Sequence, residues 1–180
     1  MIKELKDGMD DGRFSFTKID STDGQYKIDV YKLDSKLKHI KEIETTVVLD
    51  NSGNTVSVEW EVTGGGKRGT GYKKANVGEY DKGHRKSVQD GAKDNCVEDS
   101  PINIIPQSYD VNHSAMRRFE FYHSKKCRGI KVITEIIDDK HVRVKIPEKG
   151  IDVIYNPKST KSTKWPKDWF APKNLGKYFE

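Results

Sequence analysis

The chain has 180 residues, of which 33% are hydrophobic and 34% charged, and its formal net charge is +5. This length suits one domain with its own core. No apolar run approaches the roughly 18 residues that cross a bilayer, and residues 1–7 lack the apolar stretch of a signal peptide. We therefore expect one soluble domain over residues 1–180, without a membrane partner.

Charge is unevenly distributed along the chain. Residues 1–63 hold 9 basic and 13 acidic side chains, whereas residues 64–128 hold 13 and 8, and residues 129–180 hold 11 and 7. The chain is therefore basic from the glycine-rich stretch onward. This suits a polyanionic partner such as DNA or RNA, although a lysine-rich soluble surface explains the charge equally well.

Two cysteines, Cys96 and Cys127, flank the central part of the sequence. They allow either one disulfide or two free thiols, and two cysteines do not identify the compartment. Together with His113 and His123 they can be drawn as a zinc site. The paired C-x-x-C spacing of structural zinc sites is missing, however, so the sequence disfavours zinc.

In chain order, residues 1–12 predict an N-terminal arm, and residues 13–62 predict a twisted antiparallel sheet. The clearest strands are Thr45 to Leu49 and Thr55 to Val62, which a polar, glycine-containing loop joins as a hairpin. The segment from Ser35 to Ile43 is compatible with either helix or strand.

A glycine-rich stretch from Gly64 to Gly78 follows the predicted sheet. It lacks the spacing of a phosphate-cradling P-loop, because Gly69 is followed by Thr70 and not by lysine. We predict a flexible loop here that brings cations such as Arg68 to a backbone phosphate.

The second half contains the one predicted helix, from Asn112 to about Lys126, which Gly129 ends. Further strands are predicted at residues 130–137, 142–146 and 151–155. The tail, residues 156–180, carries six lysines among five aromatic residues. Such interleaving is typical of single-stranded nucleic-acid binding, and the alternative is that these aromatic residues pin a C-terminal arm onto the domain.

Three side chains point to phosphodiester hydrolysis, which needs a base, a cation and stabilisation of the leaving oxygen. His84 is the candidate base, because imidazole titrates near neutral pH. Asn112 offers a neutral oxygen ligand to Mg²⁺, and Glu120 can lean back along the helix to hold metal-bound waters. The alternative is a structural histidine, a helix cap and a solvated carboxylate.

Three segments resemble motifs of the DNA/RNA non-specific endonuclease family, the ββα-metal or His-Me finger nucleases. Asp81-Lys82-Gly83-His84 looks like the D-R-G-H signature, Asn103 to Gln107 is similar to N-x-x-P-Q, and Asn112 to Glu120 matches the N-x₇-E helix. The resemblance covers Tyr80 to Lys125. It implies an α+β fold, with a ββα-metal nuclease core on a twisted, mainly antiparallel β-sheet and one principal helix that carries the metal ligand.

The resemblance also implies a role for each residue of the site. His84 would be the general base, Asn112 the protein ligand of Mg²⁺ or another divalent ion such as Mn²⁺, and Glu120 would orient metal-bound waters. Asn103 would support the catalytic site by hydrogen bonding.

The other motif residues and nearby cations have supporting roles under the same resemblance. Asp81 and Gly83 would hold the turn of the signature. Lys82 stands where the family has arginine. Lysine keeps the positive charge but cannot make the bidentate hydrogen bonds of a guanidinium. Arg68 is the candidate for the family's upstream arginine that stabilises the transition state. With Lys82 and Arg117 it makes up the predicted substrate-binding cations.

These features predict a Mg²⁺-dependent endonuclease that cleaves DNA, RNA or both with little base preference, because phosphate contacts carry no base information. Such a small basic domain resembles the toxin module of a larger secreted bacterial protein, whose producer would carry an immunity protein. A stand-alone nuclease is the alternative context. The alternative functions are a non-catalytic nucleic-acid-binding module and a structural or adhesion β domain.

Overall fold

The computed structural model describes residues 17–33, 39–63, 76–77, 80–87, 90 and 102–159. The predicted N-terminal arm, Arg68 in the glycine-rich loop, Cys96 and the tail beyond residue 159 lie outside these ranges. The described strands, in chain order, are β1 (Thr17–Thr22), β2 (Gln25–Leu33), β3 (His39–Leu49), β4 (Thr55–Glu61), β5 (Asn76–Val77), β6 (Tyr80–His84), β7 (Ile104–Gln107), β8 (Lys131–Asp138), β9 (His141–Ile146) and β10 (Ile151–Tyr155).

The helical elements lie between β7 and β8 and between β9 and β10. A π-helical segment, Val111–Met116, continues into an α-helix, α1 (Arg117–Lys126), and Gly129 follows with a left-handed φ of 73°. A 3₁₀ turn, Pro147–Lys149, joins the last two strands. In the part of the chain that the structure describes, no helix has the length and apolar character needed to cross a membrane.

Seven strands form one antiparallel sheet in the order β1-β2-β3-β4-β8-β9-β10. The predicted hairpins are present, and the segment left open between helix and strand joins β3 from His39 onward. The 50–54 loop is closed by Asp50, whose Oδ1 accepts the backbone N–H groups of Ser52 and Asn54. Strand β4 pairs with β8, with Trp60 opposite Val132, so that strands from the two halves of the sequence form one sheet.

The prediction of an α+β fold with a ββα-metal core is wrong. The described chain is mainly antiparallel β-sheet, and apart from short turns its helical content is a six-residue π segment and a ten-residue α-helix. The reason lies in the β4–β8 pairing, which continues the N-terminal sheet into the C-terminal hairpins. One large sheet therefore dominates the architecture, and the helix is a small element packed beside it.

A second antiparallel sheet, in the order β5-β6-β7, packs with the helical segment against the large sheet. Buried residues of both parts belong to one core cluster, which includes Trp60 and Val144 from the large sheet, Ile105 from β7, and Met116 and Phe119 from the helix. Because these apolar side chains share one core, the position of β6, β7 and the helix is set by burial against the large sheet.

Candidate functional site

The candidate site is built on what we call the hairpin–helix unit, namely β6, β7 and the helical segment 111–126. Strand β6 carries the Asp81 to His84 motif and pairs antiparallel with β7, with Asp81 opposite Gln107 and His84 opposite Ile104. The chain enters the helix through Ser108, whose carbonyl accepts the backbone N–H of Asn112 at 2.9 Å. The hairpin thus leads directly into the segment that contains Asn112.

Asp81 is the point at which β6 and the helix meet. Its Oδ2 accepts a hydrogen bond from Nδ2 of Asn112 at 3.5 Å and lies 3.0 Å from Nε2 of His113. Nε2 of His113 makes no hydrogen bond to a described residue, so the second contact is a close approach of the imidazole to the carboxylate. Only 8% of Asp81 is exposed. The structure therefore brings Asp81 and Asn112 together, and it adds His113, which the sequence suggested only as a zinc ligand.

Gly83 allows β6 to approach a buried glutamine of β7. A Cβ atom at Gly83 would lie 2.2 Å from Cδ of Gln107, which is far inside any real contact. Gln107 is buried and donates its Nε2 to the hydroxyl of Tyr155 at 3.2 Å. The absence of a side chain at Gly83 therefore makes room for the hydrogen bond that ties β7 to the edge strand β10.

The buried hydroxyl of Tyr155 is influenced by charges on Arg85 and Glu120. Burial raises the pKa of Tyr155 far above its ordinary value, and the negative charge of Glu120 adds to the rise, while the charge of Arg85 opposes it. Glu120 itself is half-buried on α1. Glu120 and Arg85 consequently lie within electrostatic reach of the same buried hydroxyl.

Asn103 fixes the backbone that follows His84. Its Oδ1 accepts the N–H of Lys86 at 2.9 Å, and its Nδ2 donates to the Lys86 carbonyl at 3.0 Å. The backbone N–H of Arg85 also donates to the Asn103 carbonyl at 2.8 Å. Asn103 is buried, so these bonds are protected from water. The asparagine predicted as a supporting residue thus holds the segment immediately after His84.

Lys86 anchors the same segment to the large sheet. Its fully buried ammonium lies 3.1 Å from Oε1 of Glu44 and donates to Oγ1 of Thr45 at 2.9 Å, both on β3. Next to it, Nε1 of Trp60 donates to Oδ2 of buried Asp90 at 3.2 Å. No local sequence pattern indicates this anchor, because Lys86 and Glu44 are far apart along the chain and meet only where the segment after β6 packs against β3.

His84 ends strand β6 and is only 7% exposed. Side chains three residues apart on a strand point to opposite faces, which assigns His84 and Asp81 to opposite faces of the hairpin.

Arg85, which follows His84, is a second buried charge that no sequence motif indicates. Its Nη1 donates to the carbonyls of Ile102 and Ile104 at 3.0 and 2.5 Å. Burial lowers the pKa of Arg85 to about 10, so the guanidinium stays charged at neutral pH. The only sequence signal for it is its position next to His84.

The helix differs in detail from the predicted one. It covers the predicted region, but the turn that carries Asn112 is π-helical, and regular α-helix begins only at Arg117. A π turn contains more residues than an α turn and frequently marks functional sites. The relative direction of Asn112 and Glu120 therefore differs from that of two residues on one continuous α-helix.

The remaining predicted residues are not joined to this site by the described contacts. Arg117 is exposed on α1, Arg68 lies outside the described residues, and the side chain of Lys82 is not described. Cys127 is a buried free thiol, and burial raises the pKa of that thiol. Within the described ranges, no three His, Cys, Asp or Glu side chains converge to hold a metal ion.

No protein-family model matches the chain, and no match is found among the curated proteins or the solved structures. The resemblance to the non-specific endonucleases therefore rests on the three sequence motifs alone.

Proposed function

We propose that this protein is a divalent-metal-dependent endonuclease that hydrolyses phosphodiester bonds in DNA, RNA or both. The observation that carries the proposal is the contact between Asp81 and Asn112, because it joins the signature strand to the residue expected to bind the metal. Asn103 supports it by holding the backbone beyond His84.

Asp81 and Asn112 meet at what we call the Asp81–Asn112 junction, and its oxygen atoms fit a hard cation. The Nδ2 of Asn112 is turned toward Asp81, which leaves Oδ1 as a neutral oxygen ligand. Oxygen ligands are those that Mg²⁺ and Mn²⁺ prefer, and a hydrogen-bonded carboxylate beside a ligand keeps that ligand in position. Asn112 would hold the ion with Asp81 as its orienting partner. When bound, the ion would neutralise charge on the phosphoryl oxygens.

The chain's own residues supply the rest of the reaction. His84 accepts a proton from the attacking water, a role suited to an imidazole near neutral pH. Glu120 would orient waters near the ion, and the cations Lys82, Arg68 and Arg117 bind the phosphate backbone. Residues 109–128 alone hold five basic and two acidic side chains, so the helix region is attractive to a polyanion.

Digestion of plasmid DNA and total RNA tests the proposal. The wild-type protein should cut in the presence of Mg²⁺ and not in EDTA. We expect His84→Ala to lower the rate by at least about 100-fold, the usual contribution of a positioned base, and Asn112→Ala to lower it because the ion loses its protein ligand. His141→Ala is the matched control, because His141 is exposed on the β8–β9 turn and pairs with Asp138.

A non-catalytic nucleic-acid-binding module is the second candidate, and the burial of His84 favours it. A folded protein that cuts nothing with Mg²⁺, Mn²⁺ or Ca²⁺ but shifts nucleic acid in a salt-dependent manner would establish this candidate instead. If the domain acts as a secreted toxin module, an inhibitor protein that covers the basic helix region is its expected protein partner.

A further inference from the structure

We propose that Tyr109 and His113 form a stacking platform for an unpaired nucleobase beside the Asp81–Asn112 junction. This inference rests on the proposed function, because it names the class of substrate that the same site binds. It concerns base contacts, whereas the proposed catalytic groups act on the phosphodiester.

The rings of Tyr109 and His113 are close together and nearly parallel. Tyr109 and His113 lie one helical turn apart, their ring centroids are 4.3 Å from each other, and their planes are inclined by 23°. This is a stacked arrangement, which is one of the geometries that aromatic pairs adopt. The pair therefore presents two nearly parallel rings at the start of the helical segment.

Tyr109 is largely open to solvent. It is 66% exposed, which makes it the most exposed of the large hydrophobic residues in the described ranges. His113 covers one face of the ring, and Nε2 of His113 lies 3.0 Å from Oδ2 of Asp81. His113 and Asp81 thus support one side of the platform, while much of the tyrosine remains open to solvent.

A nucleobase is the ligand that this surface suits. Every base has a π face, so stacking on an exposed aromatic ring tolerates any sequence, in keeping with a nuclease of low base preference. The contact of His113 with Asp81, which also contacts Asn112, places the platform next to the expected phosphate position. One base can then rest on Tyr109 while an adjacent phosphate meets the junction.

The chain provides a contrasting aromatic residue on the same helix. Phe121 is 52% exposed, but Nζ of Lys125 lies over its ring, 4.2 Å from the centroid. Its ring is already engaged by a cation, and the described contacts do not connect it to Asp81. Phe121 is therefore the matched control for exposed aromatic area without a place in the platform.

The platform predicts a preference for single strands. In a duplex, neighbouring bases occupy both faces of each base, and turning one out requires unstacking and unpairing it. An unpaired base has a free face and can stack on Tyr109 without that cost. We therefore expect tighter binding, and faster cleavage if the protein is a nuclease, on single-stranded substrates.

Binding in EDTA tests the platform separately from cleavage. The probes are a fluorescent 12-nucleotide oligothymidine and an abasic strand with the same number of phosphates. We expect Tyr109→Leu to weaken binding of the oligothymidine on the order of tenfold, as for loss of one stacked base, and to leave binding of the abasic strand unchanged. Tyr109→Phe should bind as the wild type does, and Phe121→Leu should bind both probes normally.

Two outcomes would overturn the platform: equal affinity of Tyr109→Leu and wild type for oligothymidine, or equal weakening on both probes. The result is independent of the catalytic proposal. Base-dependent binding without metal-dependent cleavage would refute the nuclease and keep the platform. Cleavage with no Tyr109 effect on oligothymidine binding would keep the nuclease and refute the platform.

Discussion

The carboxylate of Asp81 lies 3.5 Å from the amide nitrogen of Asn112, and this contact joins strand β6 to the helix at the candidate site. The two residues are 31 positions apart in the sequence. Their contact depends on the antiparallel pairing of β6 with β7 and on the direct passage of β7 into the helix. It is the most specific link between the motif strand and the predicted metal ligand.

Replacing Asp81 tests whether this contact orients a metal ligand. We expect Asp81→Ala to raise the Mg²⁺ concentration for half-maximal cleavage by about 10- to 100-fold, as for loss of an orienting carboxylate. Cleavage rates across a Mg²⁺ titration give this value. Asp152→Asn, which disrupts an exposed pair with Arg143, is the control and should behave as wild type. An unchanged Mg²⁺ requirement in Asp81→Ala would remove Asp81 from the site.

Asn103→Ala should destabilise the protein by about 2 to 4 kcal/mol, because two buried backbone groups of Lys86 lose their hydrogen-bonding partners. Urea unfolding measures this loss. Asn54→Ala is the matched control, since its side chain bonds an exposed carboxylate of Asp50, and it should cost under about 1 kcal/mol. Equal losses in the two variants would show that Asn103 does not support the segment after His84.

The buried pair of Lys86 and Glu44 makes a further prediction about stability. We expect Lys86→Met alone to cost about 3 to 5 kcal/mol, because it leaves Glu44 buried without this cation. The double variant Lys86→Met with Glu44→Leu should recover much of that loss, since two apolar side chains of similar size need no charge partner. Denaturant unfolding of both variants checks the order. A double variant less stable than the single one would contradict it.

Because Tyr155 is buried, we expect the folded protein to lose stability in alkaline solution. Burial raises its pKa in the folded state, so the hydroxyl stays protonated there, whereas an unfolded tyrosine ionises at about pH 10. The contribution is fully present below the unfolded pKa and is lost as the pH rises above it.

We therefore expect Tyr155→Phe to reduce the drop in unfolding free energy between pH 8 and pH 11. It should also cost about 1 to 3 kcal/mol at pH 7, because Nε2 of buried Gln107 loses its acceptor. Tyr109→Phe is the control, as its side chain is largely exposed. A pH profile for Tyr155→Phe parallel to that of wild type would contradict the prediction.

Local sequence patterns identified most elements of this protein. Alternating apolar residues and the loop around Asp50 predicted the strands and hairpins, because side-chain direction along a strand and turn chemistry are local properties. Helical spacing predicted the segment that ends before Gly129, although not that its first turn is π-helical. The three motifs, with the charge distribution, also suggested the nuclease hypothesis.

Only the tertiary structure decided how these elements combine. Pairing of β4 with β8 makes one dominant sheet, and for that reason the α+β prediction fails. The contact of Asp81 with Asn112, the anchor of Lys86 on Glu44, and the stacking of Tyr109 on His113 against Asp81 all depend on this packing. Strand pairing and buried ion pairs join residues distant in sequence, and their free energy comes from burial that a local pattern does not contain.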